Sequence, residues 1–528
     1  MRHSGWGLMW GVLLALCALP LRAQAAYDVI IRNGRVLDGT GNPWYRADVG
    51  IRGDRIVSIG DLAGARAARE IDAAGSYVAP GFIDVHTHAG EGLATAALSH
   101  GQPLLAQGIT TAMVNPDGGG ATDMARQRAQ LLANGIGVNV AQMVPHGSVR
   151  SRVMGMADRV PTPAELEQMR AIVRTGMEEG AFGISTGPWY APGSFAKTEE
   201  LIDLSRIVAG FGGAYSSHIR DEADYSVGLV AAVDEVIRIG REAKLRVVAT
   251  HLKALGPRVW GYSAALVSRI DRARAEGVEV FADQYPYTAS ATSLSGALVP
   301  RWALAGGDTA LRRRIGDPAE LARLRAELLE SLDRRGGAAR IQFRRHRADP
   351  TIEGKTLQWV AERGRMEPAD AVIDLLKAGN PGVVSFNMLD EDVERLMRQP
   401  WMMTSSDGDL VPMGEGVPHP RSYGTYPRKI REYVVQRGTV DLAAAVRSMT
   451  SLPATVFRIP GRGLLKEGAI ADVVVFDLAR VNDRATFSDP HRLAEGMSHV
   501  LVNGKPAIEG GRFAPALHGR VLSLKERR

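Results

Sequence analysis

The chain has 528 residues, 45% hydrophobic and 23% charged, an ordinary globular composition with ample length for a large core and no repeat or low-complexity tract. Its formal charge of +6 falls to about +4 once Arg2 and Arg22 of an N-terminal leader are set aside; the basic runs Arg312-Arg313-Arg314 and Arg344-Arg345 lack interleaved aromatics, which argues against a nucleic-acid partner. The one cysteine, Cys17, lies inside that leader, so the remaining chain has no disulfide, thiolate nucleophile or sulfur metal ligand.

The leader comes first. Arg2 and His3 precede an apolar stretch from about Leu8 to Leu21, shorter than the roughly 20 residues a membrane span needs. Ala23-Gln24-Ala25 then supplies a small-x-small cleavage pattern. Residues 1–25 are expected to be a signal peptide, and the mature protein to be exported, periplasmic or secreted, without a stable membrane anchor. Residues 26–79 read as short strands over 27–31, 35–38, 47–51 and 55–59, with Asn33-Gly34 and Gly53-Asp54 as turns. Residues 454–528 have the same texture, with strands over 471–477 and 499–504. Two β segments at opposite ends of a chain most simply form one β-sandwich.

Between them, over 80–453, apolar strands alternate with helical stretches. The strands fall at 81–88, 108–114, 138–144, 180–186, 214–218, 246–251, 278–283 and 401–407, with amphipathic segments such as 163–179 and 227–243 among them. Strand followed by helix implies a parallel sheet, and eight such units imply the α/β class and a (β/α)8 TIM barrel. A ninth strand candidate, 382–387, is assigned with 305–380 to an insertion between the seventh and eighth strands. A doubly wound open sheet is the competing fold.

The sharpest chemical signal is Gly81-Phe82-Ile83-Asp84-Val85-His86-Thr87-His88. Strand side chains alternate faces, so Asp84, His86 and His88 are expected on one face, and Ile83, Val85 and Thr87 on the other, toward the helix layer. Two imidazoles at the C-terminal end of a barrel strand can grip one metal ion. His218 and His251 end two later strands, and neutral imidazole is a favoured zinc ligand. The last strand ends Ser405-Ser406-Asp407-Gly408, where an acid can touch a metal and accept a proton from its water. Asp117 follows the second strand among glycines.

These residues resemble the amidohydrolase superfamily, and more closely its N-acyl-D-amino-acid deacylase (D-aminoacylase) branch. The likeness extends to Gly183-Ile184-Ser185-Thr186-Gly187 with Tyr190-Ala191-Pro192-Gly193, to His218-Ile219-Arg220-Asp221-Glu222, His251-Leu252-Lys253, Tyr285-Pro286-Tyr287 and His419-Pro420-Arg421-Ser422-Tyr423. It departs at one place: that branch usually carries a metal-bridging cysteine after its second strand, where this chain has Asp117, a carboxylate able to span two ions.

The resemblance implies zinc-dependent hydrolysis of a small N-acyl amino acid with one or two ions per subunit. His86, His88 and Asp407 would hold one ion and His218 and His251 a second, with Asp117 between them. Asp407 would act as general acid–base. Tyr190, Lys253, Tyr285 and Arg421 would contact substrate, the two cations at its carboxylate. A cyclic-amide hydrolase or dipeptidase using the same site is the first alternative. Its carbamylated-lysine version is disfavoured because Ser185-Thr186-Gly187 stands at the end of the fourth strand. A non-catalytic exported binding protein is the second.

Overall fold

A computed structural model describes residue 1, residues 27–515 and residues 517–526; apart from Met1, the expected leader lies outside the described residues. Eight parallel strands form a barrel: Phe82–Asp84, Ile109–Val114, Asn139–Gln142 with its continuation Val144–Pro145, Gly183–Thr186, Ala214–Ser217, Val247–Ala249, Val280–Gln284 and Met402–Thr404. The ring closes because Asp407 N donates to His86 O at 2.8 Å and His88 N donates to Gly408 O at 2.9 Å, joining the last strand to the first. The open-sheet alternative is thereby excluded.

Strand periodicity explains how the barrel is filled. Ile184, Tyr215, Val247, Val280 and Met402 face outward and pack with the surrounding helices. Their neighbours of opposite parity, among them Ala214, Val248 and Met403, meet inside with Ile83 and Val85. The expectation for the first strand is therefore corrected: Ile83 and Val85 point into the barrel, not toward the helices. The strand ends at Asp84 and carries a register shift between Phe82 and Ile83. Alternation holds from Ile83 to Val85 and is lost where the strand ends and the chain bends at Val85 and His86, which turns His86 and His88 toward the barrel mouth.

The floor of the barrel is closed by Leu452, Val456, Phe457 and Leu522. Leu522 arrives because the chain end runs beneath the third strand, with Leu522 N donating to Val140 O at 2.8 Å and Leu524 N to Gly180 O at 3.0 Å. Residues 520–524 thus belong to the barrel floor and not to the β domain expected over 454–528.

The two chain ends build one shared β domain, its strands joined in a nine-stranded sheet around a common core. Val473–Phe476 pairs antiparallel with Tyr77–Pro80 at its centre. Val473 and Val475 face a core closed by Val29, Ile31 and Ile51. Val474 and Phe476 face the barrel side. All four are fully buried, which is why this strand reads as an unbroken apolar run.

The insertion is wider than expected. Ser290–Ser293, Ile341–Arg345 and Gly382–Ser385 form a three-stranded antiparallel sheet, so the added layer begins before residue 305 and ends after 380. It carries its own core around Leu294, Leu324, Phe343 and Val383, and it covers one side of the barrel mouth. No helix among the described residues is long and apolar enough to cross a membrane.

Candidate metal centre and active site

Every candidate ligand follows the C-terminal end of a barrel strand, the rim where such barrels build sites. His86 and His88 follow Phe82–Asp84, Asp117 follows Ile109–Val114, His218 follows Ala214–Ser217, His251 follows Val247–Ala249, and Asp407 follows Met402–Thr404. Three of them, Asp117 (φ +54°), His251 (φ +37°) and Asp407 (φ +48°), adopt left-handed backbone, as does Asn115 (φ +63°). Non-glycine residues hold that conformation only where the surroundings enforce it, and such positions cluster at functional sites.

The enforcing contacts are visible. Ser185 Oγ donates to Asn115 O at 2.5 Å and accepts from Gly118 N at 3.2 Å, pinning the Asp117 loop to the fourth strand. Gly187 lies so close to this loop that a Cβ there would stand 2.2 Å from Asp117 O. Asp283 Oδ1 accepts from His251 N at 2.8 Å and from Ser405 Oγ at 2.6 Å, tying the sixth, seventh and eighth strand ends together. Asp84, which shares a strand with the HxH pair, does not join the ligands. Its buried carboxyl instead accepts from Ser406 N at 2.9 Å and from Ser406 Oγ, and burial pushes it up to about 7 despite those bonds.

The donor atoms converge in two groups, His86, His88, Asp117 and Asp407 in one, and His218, Glu222 and His251 in the other. Asp117 links them. Its Oδ1 lies 3.3 Å from His86 Nε2 and 3.4 Å from His251 Nε2, and its Oδ2 lies 3.4 Å from His88 Nε2. Asp407 Oδ1 lies 3.2 Å from His88 Nε2 and 3.6 Å from His86 Nε2.

Both His86 ring nitrogens and Asp117 Oδ1 are buried without a hydrogen bond. Buried polar atoms rarely go unpaired, and a cation between His86 Nε2 and Asp117 Oδ1 satisfies both of those atoms. The N/O donor set, with no sulfur, suits zinc and other borderline divalent ions.

The electrostatics agree. Burial disfavours charge on His88, but its bonds to Asp117 and Asp407 reverse that and raise it to about 10. Burial and Lys253 work against charge on His251, yet Asp117 and Glu222 lift it to about 9. Burial lowers His218 to about 4. For Asp117 and Asp407 burial favours the neutral acid, but the surrounding histidines, and for Asp407 above all Arg421, hold both well below the usual carboxylate range.

A cavity of about 1180 Å³ opens above the two groups, and all the candidate residues except His86 line it. Tyr190 Oη meets Thr292 Oγ1 of the insertion at 3.1 Å. The Tyr285 ring lies under Arg421, 4.7 Å from its guanidinium carbon. Both expected substrate cations already have acidic neighbours: Arg421 Nη1 lies 2.9 Å from Asp407 Oδ2, and Lys253 Nζ is bound to Glu222 and to His251 Nδ1. His146 lies apart, in a buried cluster with Glu200 and Arg150.

A model of the amidohydrolase family matches residues 69–508. The chain belongs to the amidohydrolase family. This amidohydrolase is 36% identical over 521 residues to an N-acyl-D-glutamate deacylase of Alcaligenes xylosoxydans xylosoxydans, covering 94% of this chain and 97% of that one. It superposes on an N-acyl-D-glutamate deacylase of Bordetella bronchiseptica, solved with zinc and a phosphonate mimic of the reaction's tetrahedral intermediate, with a TM-score of 0.80 at 35% identity, covering 94% and 99% of the two chains. A D-aminoacylase described by its binuclear metal centre gives 0.81 at 33% identity over 94% and 100%.

Sequence reasoning missed two acids of the amidohydrolase site. Glu222 lies four residues beyond His218, with its Oε1 3.1 Å from His251 Nδ1. It was present in the His218–Glu222 motif, but nothing local distinguishes a ligand or counter-ion there from a solvated acid. Asp283 shares inward parity with Phe281 on its strand, a signal that marks it as barrel-facing without revealing what it holds.

Proposed function

We propose that this amidohydrolase uses zinc to hydrolyse the linear amide of N-acyl-D-amino acids, yielding a carboxylate and a free amino acid. The observation that carries this reading is Asp117 facing both donor groups at the base of the cavity, in a chain that matches a D-amino-acid deacylase over nearly its whole length. The D preference rests on those relatives.

His86, His88 and Asp407 would hold one ion, and His218 and His251, with Glu222 beside them, the other, with Asp117 shared. Bound zinc supplies a Lewis acid for the amide carbonyl and lowers the pKa of water to about 7. Asp407 keeps Oδ2 turned away from the imidazoles, toward Arg421. At that atom it takes a proton from the attacking water as the C–O bond forms, and it delivers the proton to the leaving nitrogen as the C–N bond breaks. Tyr190, Lys253, Tyr285 and Arg421 surround the space left for substrate. No serine or cysteine nucleophile is needed.

The basic start, apolar stretch and Ala23-Gln24-Ala25 pattern support export to the periplasm or medium, and the substrate would then be met outside the cytoplasm. Zinc-loaded protein assayed on paired N-acyl-D- and N-acyl-L-amino acids should release free D-amino acid. A panel hydrolysed in neither series would overturn the reading.

A further inference from the structure

The basic run Arg344-Arg345-His346-Arg347 supplies no metal donor. It lines a second cavity, of about 730 Å³, whose other walls come from residues 378–382 of the insertion and from the loop after the eighth strand. Arg344 is bound to Asp409 and Arg345 to Glu415, while Arg347 is exposed and has no carboxylate partner among the described residues. Three arginines thus face two acids. Each paired guanidinium commits one nitrogen to its acid and keeps other N–H donors.

His346 adds the deepest donor. It is only 4% exposed, and Asp349 N donates to its Nδ1 at 3.0 Å. The neutral ring therefore carries its hydrogen on Nε2, which is buried without a hydrogen bond. Gly379, another residue of the cavity wall, leaves that nitrogen uncrowded: a Cβ there would lie 3.8 Å from it. Buried donors are rarely left unpaired, and the cavity beside this one has room for an acceptor.

Arg344 and Asp409 line both this cavity and the one above the metal donors, so their ion pair is the partition between the two. Arg344 reaches across because residue 382 is glycine; a Cβ there would stand 2.6 Å from its Nε. On the far side of the partition, the backbone of Asp409 pairs with that of His88.

We propose that this second cavity is a regulatory site for an oxyanion, either a phosphate-like ion or the carboxylate released by hydrolysis. Its three arginines and His346 present N–H donors, and an oxyanion accepts several at once. An anion held there competes with Asp409 for Arg344. Asp409 then keeps less of its counter-charge at the rim of the active-site cavity, where it opposes the carboxylate of an arriving N-acyl amino acid. The effect on turnover rests on the deacylase reading; binding of the oxyanion does not.

Inorganic phosphate and acetate, titrated separately into zinc-loaded protein, distinguish the two sources. Calorimetry reads binding directly, and kinetics on an N-acyl amino acid read its consequence. At least one anion should bind and raise KM, with kcat held within about twofold. Arg345→Gln and His346→Gln should each weaken that binding by about tenfold or more and abolish the rise in KM. Without the anion, both variants should keep kcat/KM within about twofold of the wild-type value. Arg345→Lys, which keeps the charge at a partly exposed position, should retain part of the affinity and covers the case in which the histidine variant does not fold. Phosphate or acetate that binds wild-type protein and Arg345→Gln equally well sits on the metal centre, and that result would overturn the proposal. So would a lack of binding by both anions, and binding that leaves KM unmoved would overturn the regulatory role. Should nothing be hydrolysed, the deacylase reading would fall, and the ratio of Kd values would still decide whether the site exists.

Discussion

Arg421 and Asp407, 14 residues apart across the loop after the eighth strand, face each other in the cavity with Nη1 2.9 Å from Oδ2. The side chain expected to clamp the substrate therefore stands against the side chain expected to move the proton. The contact is close without being a well-aligned hydrogen bond, so Arg421 has donors to spare for substrate. Its positive charge keeps Asp407 ionised. Removing it in Arg421→Met should move the acid limb of the kcat/KM profile to higher pH, because the carboxyl loses the cation that opposes burial. The accompanying loss should be about 10- to 150-fold, the worth of a charge-assisted contact. A pH–rate profile with an unmoved acid limb would reassign Arg421 to substrate binding alone.

Asp407→Asn should keep the fold, since asparagine tolerates the left-handed backbone that Asp407 adopts (φ +48°). Turnover should fall by about 100-fold or more through loss of the acid–base group. Circular dichroism and steady-state kinetics check this together; near-normal kcat with full metal content would make Asp407 structural.

Purified protein should carry zinc by elemental analysis and lose activity to a strong chelator. In the metal-free protein His88 and His251 are raised to about 10 and 9, so both hold protons at neutral pH that a metal must displace. Zinc titration at pH 7.5 should then release about two protons. Calorimetry in buffers of different ionisation enthalpy measures that number, and a buffer-independent enthalpy would refute it.

Gly187→Ala should cost metal more than fold. The new Cβ would meet Asp117 O at 2.2 Å, a backbone atom that cannot yield without moving the shared carboxylate. Metal content well below the wild-type level with a retained thermal transition is the expected result.

Lys429 is buried beneath the eighth strand, its Nζ donating to Thr404 Oγ1 at 2.8 Å and Ser448 Oγ at 2.9 Å, and burial lowers it to about 7. The unfolded chain, with lysine near its ordinary value of about 10.4, binds more protons than the folded one between pH 7 and 10. This group therefore adds stability as pH rises through that window, by at most about 1.4 kcal/mol per pH unit, and adds no slope below it. Lys429→Met should remove that contribution and stabilise the protein at pH 6. Urea midpoints of both proteins at pH 6, 8 and 9.5 test the sign.

Much of this molecule is local and so is legible along the chain. The strand–helix rhythm, the HxH pair, and histidines or aspartates placed just past strand ends are short-range patterns, because a barrel puts every such end on one rim whatever fills the rest. The unbroken apolar run Val473–Phe476 likewise announces a strand buried on both faces.

Tertiary structure alone decided the remainder. Ile83 and Val85 face inward because the regular strand ends at Asp84, so the alternation counted back from His86 and His88 does not reach them. The Lys253–Glu222 pair spans 31 residues and the Arg335–Ser385 bond spans 50, distances over which no periodicity carries information. Whether a buried cation has a counter-charge depends on which loops the packing brings together. That is why Arg421 and Arg335, equally plain as arginines in the chain, face different neighbours, the Asp407 carboxylate for the one and the neutral Ala297 O and Ser385 Oγ for the other.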